Sequence, residues 1–469
     1  MRNPARGLCL IPDRHEAIRS AYSRNGSGWT ENNSVDVYCI RHIAQNFMRQ
    51  FKNAALKKDI ANMGTKALAI GEMHNASFKT NFCLQLAYKT MLKQVGNGSN
   101  FVYSPLSLHI IMSLLAVGTK GKTLQQLLSV LGSESIHEVN SLSSQIISYI
   151  QLAEGNGSHS GGPILSFING AWVEQSFGLK KSFEEVVKQV YRLSQVKEVD
   201  FKNKFFEVRE EVNAWADNAT NGLIKELLPA NSLSSLTRLI LVNAMYFKGT
   251  WPLDQRFDAS NTKTKTFNLL NGQKVKVPFM TNFEFVNYNF KSFETFKILQ
   301  IPYQSGDNNP LTFSMYFFLP HEKEGLPYLI HILNSNTEFL NQNFGLHKVN
   351  IPNFWIPRFK FSFDFEAKED MENLGLTLPF KISGDLTEFS DSPLSSELYV
   401  SKIFHKACIE VNEEGTEASA STAVIISQQR AMMPIPSFVA DHPFVFMIRE
   451  ETSMAVFFIG AVVNPLLVS

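Results

Sequence analysis

Residue types able to do chemistry are few in this chain of 469 residues, and they are scattered. The run AVGTKGKT, Ala116 to Thr123, ends as a phosphate-binding loop ends, with a glycine, a lysine and a hydroxyl. Such a loop needs its first glycine where Ala116 stands and a strand before it, whereas the residues leading into this one repeat at helical spacing. A nucleotide site is not expected. For nucleophilic catalysis there is no GxSxG elbow, and His405 has no serine or acid at a recognisable catalytic spacing. A lone histidine in a strand-like apolar run is expected to be a hydrogen-bonded core residue. Cys9, Cys39, Cys83 and Cys408 form no CxxC pair and no zinc-like spacing with histidine, so they are expected as free thiols, with neither a disulfide framework nor a metal site. No catalytic constellation and no cofactor motif emerges.

One stretch carries a pattern instead of reactive groups. NEEGTEASASTAVIISQQRAMMPIP, Asn412 to Pro436, begins with acids and a glycine, continues through small residues, then turns β-branched and ends in two prolines. Placed on a strand, Thr416, Ala418, Ala420, Thr422 and Val424 share one face, and Glu417, Ser419, Ser421 and Ala423 share the other. The first face is small or β-branched and uncharged, so it could slide into a sheet without demanding a large pocket or burying an unpaired charge. It lacks the bulk to hold itself there alone. With Gly415 as a pivot before it and Pro434 and Pro436 after it, the segment reads as a loop able to become a strand. A plain small-residue linker fits the same pattern, because five alternate positions are few.

The surrounding elements must position that segment. With 44% hydrophobic and 12% aromatic residues the chain can build a sizeable core. From Phe78 to Val95 and from Leu106 to Leu131 apolar residues recur at helical spacing, with a break at Gly118 and Gly121. From Leu239 onward LILVNAMYFKGTW, LTFSMYFFLP and FVFMIREETSMAVFFIGAVV are β-branched and aromatic, and predict buried strands of a large sheet. Helices crowd the first half and strands the second, without βα alternation, which predicts an α+β fold. Residues 1–70 read as a basic, Asn-rich extension. Its amphipathic stretch sets Ile40, Ile43, Phe47 and Phe51 at helical spacing; a targeting segment, a partner helix or wrongly predicted coding sequence would each fit. Forty-four Lys and Arg against 43 Asp and Glu leave a net charge of +1, so no global field draws in nucleic acid or an anionic membrane. The first fifteen residues lack the apolar core of a secretory signal, and no run reaches the length of a membrane span. A cytoplasmic location is therefore expected, the extracellular space or apoplast being the alternative, and the N-x-S/T triplets at Asn97 and Asn218 are expected to be unused.

NEEGTEASASTA resembles the hinge of the serpins, and the similarity runs from about Phe78 to Val468. NFVYSPLSLHIIMSLLAVGTKGKT is similar to the family's second-helix region, and WADNATNGLIKELLP to the segment closing its helix on the main sheet. LVNAMYFKGTWPLDQRFD resembles the central strand with its Asn and Trp, and ADHPFVFMIRE with VFFIGAVVNP resembles the C-terminal strands. The wording, VADHPF above all, is nearest that of plant serpins. The resemblance implies a domain over 71–469 with three β-sheets, eight or nine helices and an exposed C-terminal reactive loop at about 413–436. It implies a hinge at Glu413, Glu414, Gly415, Thr416, Glu417, Ala418, Ser419, Ala420, Ser421 and Thr422. Ser104, Ser107, Asn243 and His405 match the family's hydrogen-bonded shutter, and Trp251 its point of first insertion.

The activity implied is suicide inhibition of a serine protease, or of a papain-like or metacaspase-like cysteine protease, by a monomer without cofactors. Spacing from the hinge glycine in that family places the reactive bond between Gln429 and Arg430, with Arg430–Ala431 as the competing register. Plant relatives often carry a basic bait, and glutamine departs from that. No basic run lines LQQLLSVLGSESIHEV, so a heparin-like cofactor is not implied. Two other classes compete: a non-inhibitory serpin serving as carrier or store, and an enzyme with an unrecognised site. Bulky or charged inward hinge residues would favour the first, and this hinge has none.

Overall fold

The helical periodicity of the first half resolves into α1 (Asn81–Gly96), α2 (Pro105–Val117), α3 (Gly121–Leu131) and α4 (Ile136–Gly155). These are followed by α5 (Lys181–Val186), α6 (Phe201–Ala219), α7 (Leu326–Ser335) and α8 (Lys368–Asn373). The computed structural model describes residues 81–155, 162–191, 195–282, 286–305, 311–382, 385–413 and 436–467. The amphipathic stretch near residue 40, the hinge beyond Glu413 and both bait residues lie outside them.

Local chemistry sets the ends of α2. Ser104 caps it by accepting a hydrogen bond from the Ser107 amide, and Pro105 occupies the first turn, where no amide is needed. Every residue from Pro105 to Ala116 is buried, so α2 is a central helix without a solvent face. The break expected at Gly118 and Gly121 is present. Gly121 sits at φ +55, and a Cβ at Gly118 would stand 1.9 Å from the Phe389 ring.

Sixteen strands, numbered in chain order, form three sheets among the described residues. The five-stranded sheet comprises β2 (Ile164–Glu174), β3 (Gln195–Val199), β4 (Leu239–Lys248), β12 (Phe359–Glu366) and β13 (Lys402–Val411), in the order β12-β13-β4-β2-β3. A seven-stranded sheet holds β1 (Phe101–Tyr103), β7 (Asn287–Ser292), β8 (Phe296–Pro302), β9 (Phe313–Pro320), β10 (His347–Asn350), β15 (Phe444–Glu450) and β16 (Val456–Val462). Four strands, β5 (Lys263–Asn268), β6 (Lys274–Met280), β11 (Asn353–Pro357) and β14 (Ser437–Val439), make the third. The fold is α+β, as expected, but the first half also contributes β1 to β3. In β2 the apolar run is interrupted by Asn169 and Gly170, which read as breakers. Gly170 is there because Trp172 lies over it: a Cβ at Gly170 would come within 2.2 Å of the Trp172 ring.

The two faces of the five-stranded sheet are covered differently. Asn243 and Met245 of β4 point toward α2, where the Ser104 and Ser107 hydroxyls reach the Met245 sulfur at 3.1 and 3.3 Å. Ile240, Val242 and Ala244 point the other way and join Val208, Val212 and Ala216 of α6 in one buried cluster, with Ile224, Leu227 and Leu228 from the segment that follows.

Candidate functional site

The five-stranded sheet contains a parallel seam at its centre. β4 and β13 run side by side from Lys402 opposite Ile240 to Cys408 opposite Tyr246, while β2 is antiparallel to β4 and β12 is antiparallel to β13. The seam stops short of the strand ends. β4 continues to pair with β2 as far as Lys248, and β13 with β12 as far as Val411, but beyond Cys408 and Tyr246 they no longer pair with each other. The two middle strands therefore part at the end where β13 leads into the stretch beginning at Asn412.

Midway along the seam is a buried polar cluster. His405 and Asn243 face each other in register, and His405 Nδ1 lies 2.8 Å from Asn243 Oδ1. The Ser104 amide donates to His405 Nε2 at 3.2 Å, so Nε2 is the acceptor and Nδ1 carries the proton. Asn243 Nδ2 donates to Asn169 Oδ1 at 2.8 Å and to the Ile168 carbonyl at 3.2 Å, which extends the chain of bonds across to β2. Ser107 joins through the Ser104 hydroxyl, 3.3 Å from its amide. Ser104, Ser107, Asn243 and His405 are thus brought together, and Asn169 and Met245 complete the group. Losing one partner of such a network leaves a buried group unsatisfied, at about 1–3 kcal/mol.

Trp251 stands apart, at the open end. Its ring stacks on Tyr303 with centroids 4.6 Å apart, and its indole Nε1 donates to the Asn412 carbonyl at 3.0 Å. Gly249 permits the stack, since a Cβ there would meet the Tyr303 ring at 2.3 Å. The next residue, Glu413, is buried and held from three sides. Its carbonyl accepts from the Phe257 amide at 3.0 Å, its Oε1 accepts from Thr262 Oγ1 at 2.6 Å, and its Oε2 lies 3.4 Å from Arg358 Nε. Thr262 and Arg358 carry no sequence signal of their own; only the fold brings them to Glu413.

On the α6 face a second set of bonds ties a covering segment over the sheet. Asn213 Oδ1 accepts from the Leu227 and Leu228 amides, and Lys406 of β13 donates to the Glu226 carbonyl at 2.7 Å. Reactive chemistry is absent from this region. Burial pushes the Cys408 thiol up to about 11, leaving it an inert thiol in place of a thiolate nucleophile. Among the described residues no group of His, Cys, Asp or Glu is gathered that could hold a metal, and no helix is long and apolar enough to cross a membrane.

Burial also makes two of the buried histidines, His405 and His109, proton-resistant. The His405 pKa is pulled down to about 3 and that of His109, in α2, to about 4. His109 Nδ1 is buried without a partner among the described residues, so a proton there would find no acceptor. Below pH 6.5 the unfolded chain takes up protons that the folded chain refuses. The stability from these groups is therefore complete above pH 6.5 and drains away as pH falls toward 3 to 4. Each should lose about 2 kcal/mol by pH 5. Urea unfolding should show a midpoint distinctly lower at pH 5 than at pH 7.5; matching midpoints would mean these histidines are not held neutral.

A fold of three sheets around a parted parallel seam, with a small-residue stretch leaving its open end, defines a class. The family model described as Serpin (serine protease inhibitor) matches residues 77–465. The rice protein Serpin-ZXA (Oryza sativa subsp. japonica) is 45% identical over 374 residues, covering 79% of this chain and 92% of that one. Serpin-ZX of Arabidopsis thaliana is 43% identical over 393 residues, 83% of this chain and 98% of its own. Among solved structures, Arabidopsis AtSerpin1 in its native stressed conformation superposes with a TM-score of 0.73 at 41% identity, over 84% of this chain and all of that one. The chain belongs to the serpin family, whose members are typically protease inhibitors, and its relatives include named plant serpins.

Proposed function

We propose that the protein is a suicide inhibitor of serine or cysteine endopeptidases, acting by cleavage of the loop beyond Glu413 and insertion of its hinge into the seam between β4 and β13. The observation that carries this reading is the direction of the seam. β13 runs toward the open end and delivers the chain there; a segment turning back from that end enters antiparallel to both β13 and β4. One parallel ladder, the less stable kind, is exchanged for two antiparallel ones.

The protease's serine or cysteine attacks the carbonyl carbon of the bait residue. The C–N bond breaks, the new amino terminus leaves with its proton, and the bait is held as an ester or thioester. The freed hinge then inserts. A strand of roughly fourteen residues spans about 46 Å, enough to draw the protease along the sheet. A net gain of about ten backbone hydrogen bonds supplies on the order of 10 kcal/mol. A displacement of about 1 Å in an active site already costs roughly a hundredfold in rate, so deacylation stalls.

Support for inhibition over a carrier or storage role comes from the hinge composition, since Thr416, Ala418, Ala420 and Thr422 offer nothing bulky or charged to the sheet. The proposed bait is Gln429. Mass spectrometry of the C-terminal peptide released when the protease is inhibited should show it beginning at Arg430; a peptide beginning at Ala431 would move the bait to Arg430. Cleavage without loss of protease activity would contradict the inhibitory reading itself.

A further inference from the structure

Away from the five-stranded sheet, the seven-stranded one carries a small cleft. It is walled by Glu294 in the turn between β7 and β8, by His321 and Glu322 just after β9, and by Tyr328 and Leu329 at the start of α7, around a volume of about 240 Å³. Backbone bonds hold the walls in place. The His321 amide donates to the Thr295 carbonyl, the Gly325 amide to the Glu322 carbonyl and the Leu329 amide to the Gly325 carbonyl, each at 3.0 Å.

What the cleft offers a ligand is negative charge beside apolar surface. Among the described residues no hydrogen bond or ion pair engages the carboxylate of Glu294 or of Glu322, and no lysine or arginine lines the space. His321 Nε2 lies 2.9 Å from the Phe293 carbonyl, which can only accept, so Nε2 carries the proton and in the neutral ring Nδ1 is left as a further acceptor. Leu329, 2% exposed, forms the floor, and Tyr328, 62% exposed, stands at the rim.

Carboxylates beside the start of a helix are favoured by its dipole in any case, so charge alone would make no site. Here shape adds to it. The cleft is smaller than the roughly 300 Å³ at which pockets begin to hold a drug-sized molecule, and it is partly open to solvent, so it suits a single side chain presented from outside. A planar guanidinium can pair with carboxylate and stack on the tyrosine ring at once, which a compact, strongly hydrated ammonium does less well.

We propose that this cleft docks an arginine side chain of a partner protein, with Glu294 and Glu322 as its counter-charges and Tyr328 as its stacking surface. Neither the hinge nor the seam takes part, so the proposal stands apart from the inhibitory reading. The probe is the peptide acetyl-Gly-Arg-Gly-amide, titrated into the full-length protein while backbone amide resonances are followed. Saturable shifts should be confined to Thr295, Glu322, Gly325, Tyr328 and their neighbours, with a dissociation constant on the order of 1 mM. The same peptide with citrulline in place of arginine keeps the shape, loses the charge and should bind about tenfold more weakly. Glu294→Gln and Glu322→Gln should each weaken the arginine peptide about fivefold and Tyr328→Ala about threefold, whereas Tyr328→Phe should bind as the parent does. These side chains are exposed, so every variant should melt with the parent. Equal shifts from the citrulline peptide, binding that the two glutamine substitutions leave unchanged, shifts spread over the whole acidic surface, or no saturable shift at these amides would each overturn the assignment.

Discussion

Thr416→Arg should leave the loop as readily cleaved as before and yet turn the protein from inhibitor into substrate. Glu413 is fixed at the open end of the seam by Phe257, Thr262 and Arg358, so insertion has to start from there. Thr416 is the first residue after Gly415 on the small, uncharged face of the hinge pattern, and nothing behind it can follow until it has entered. A threonine brings one hydroxyl that sheet backbone can satisfy. An arginine brings a charge whose unpaired burial costs about 3–5 kcal/mol, enough to slow insertion by a hundredfold or more. Ordinary deacylation then wins. The products should be nicked inhibitor and active protease, with the cut at the parent's bond. Glu417→Arg, on the opposite face, should leave complex formation within a fewfold of the parent. If Thr416→Arg traps protease as efficiently as the parent does, the inward face of the hinge has been wrongly assigned.

Cleavage of the loop by a protease that escapes inhibition should raise the melting temperature by about 20 °C or more. The intact sheet keeps a parallel seam that ends at Cys408 and Tyr246, and the last three residues of β13 do not pair with β4. On the proposed mechanism, the hinge once cut should join the sheet and convert the seam to two antiparallel ladders. A gain on the order of 10 kcal/mol, at about 2–4 °C per kcal/mol for a large domain, gives that shift. Calorimetry of the intact and nicked forms, with the nick verified by mass, reads the difference directly. Coincident melting would mean that the severed hinge stays outside the sheet.

Much of the fold was legible because the chain is written in strong local signals. Apolar residues at helical spacing from Leu106 onward marked α2, and the aromatic, β-branched runs after Leu239 marked β4, β9, β15 and β16. β2 escaped notice because Asn169 and Gly170 obey tertiary demands, one bonding across the sheet to Asn243 and the other making room for Trp172. The histidine at 405 could be read as a structural core residue from its apolar surroundings alone, but not its partners, which lie 162 and 301 residues away in sequence. Separation in sequence also hides Thr262 and Arg358. Each acts on a backbone or carboxylate group that only the folded sheets bring within reach. The stretch after Gly415 offers the sequence only a pattern of small alternate residues, whereas the parallel seam proposed to receive it follows from strand order and has no signature in any single segment.

Whether the seam traps a protease is settled by mixing the purified protein with trypsin-like, chymotrypsin-like and papain-like proteases and running the products under denaturing conditions. At least one protease should yield a band that survives denaturation, with a mass equal to the protease plus the inhibitor less its C-terminal peptide, and proteolytic activity should fall in step with that band. If every protease that cuts the loop remains active and only nicked chain is seen, insertion does not arrest the acyl-enzyme, and the chain is a serpin that no longer inhibits.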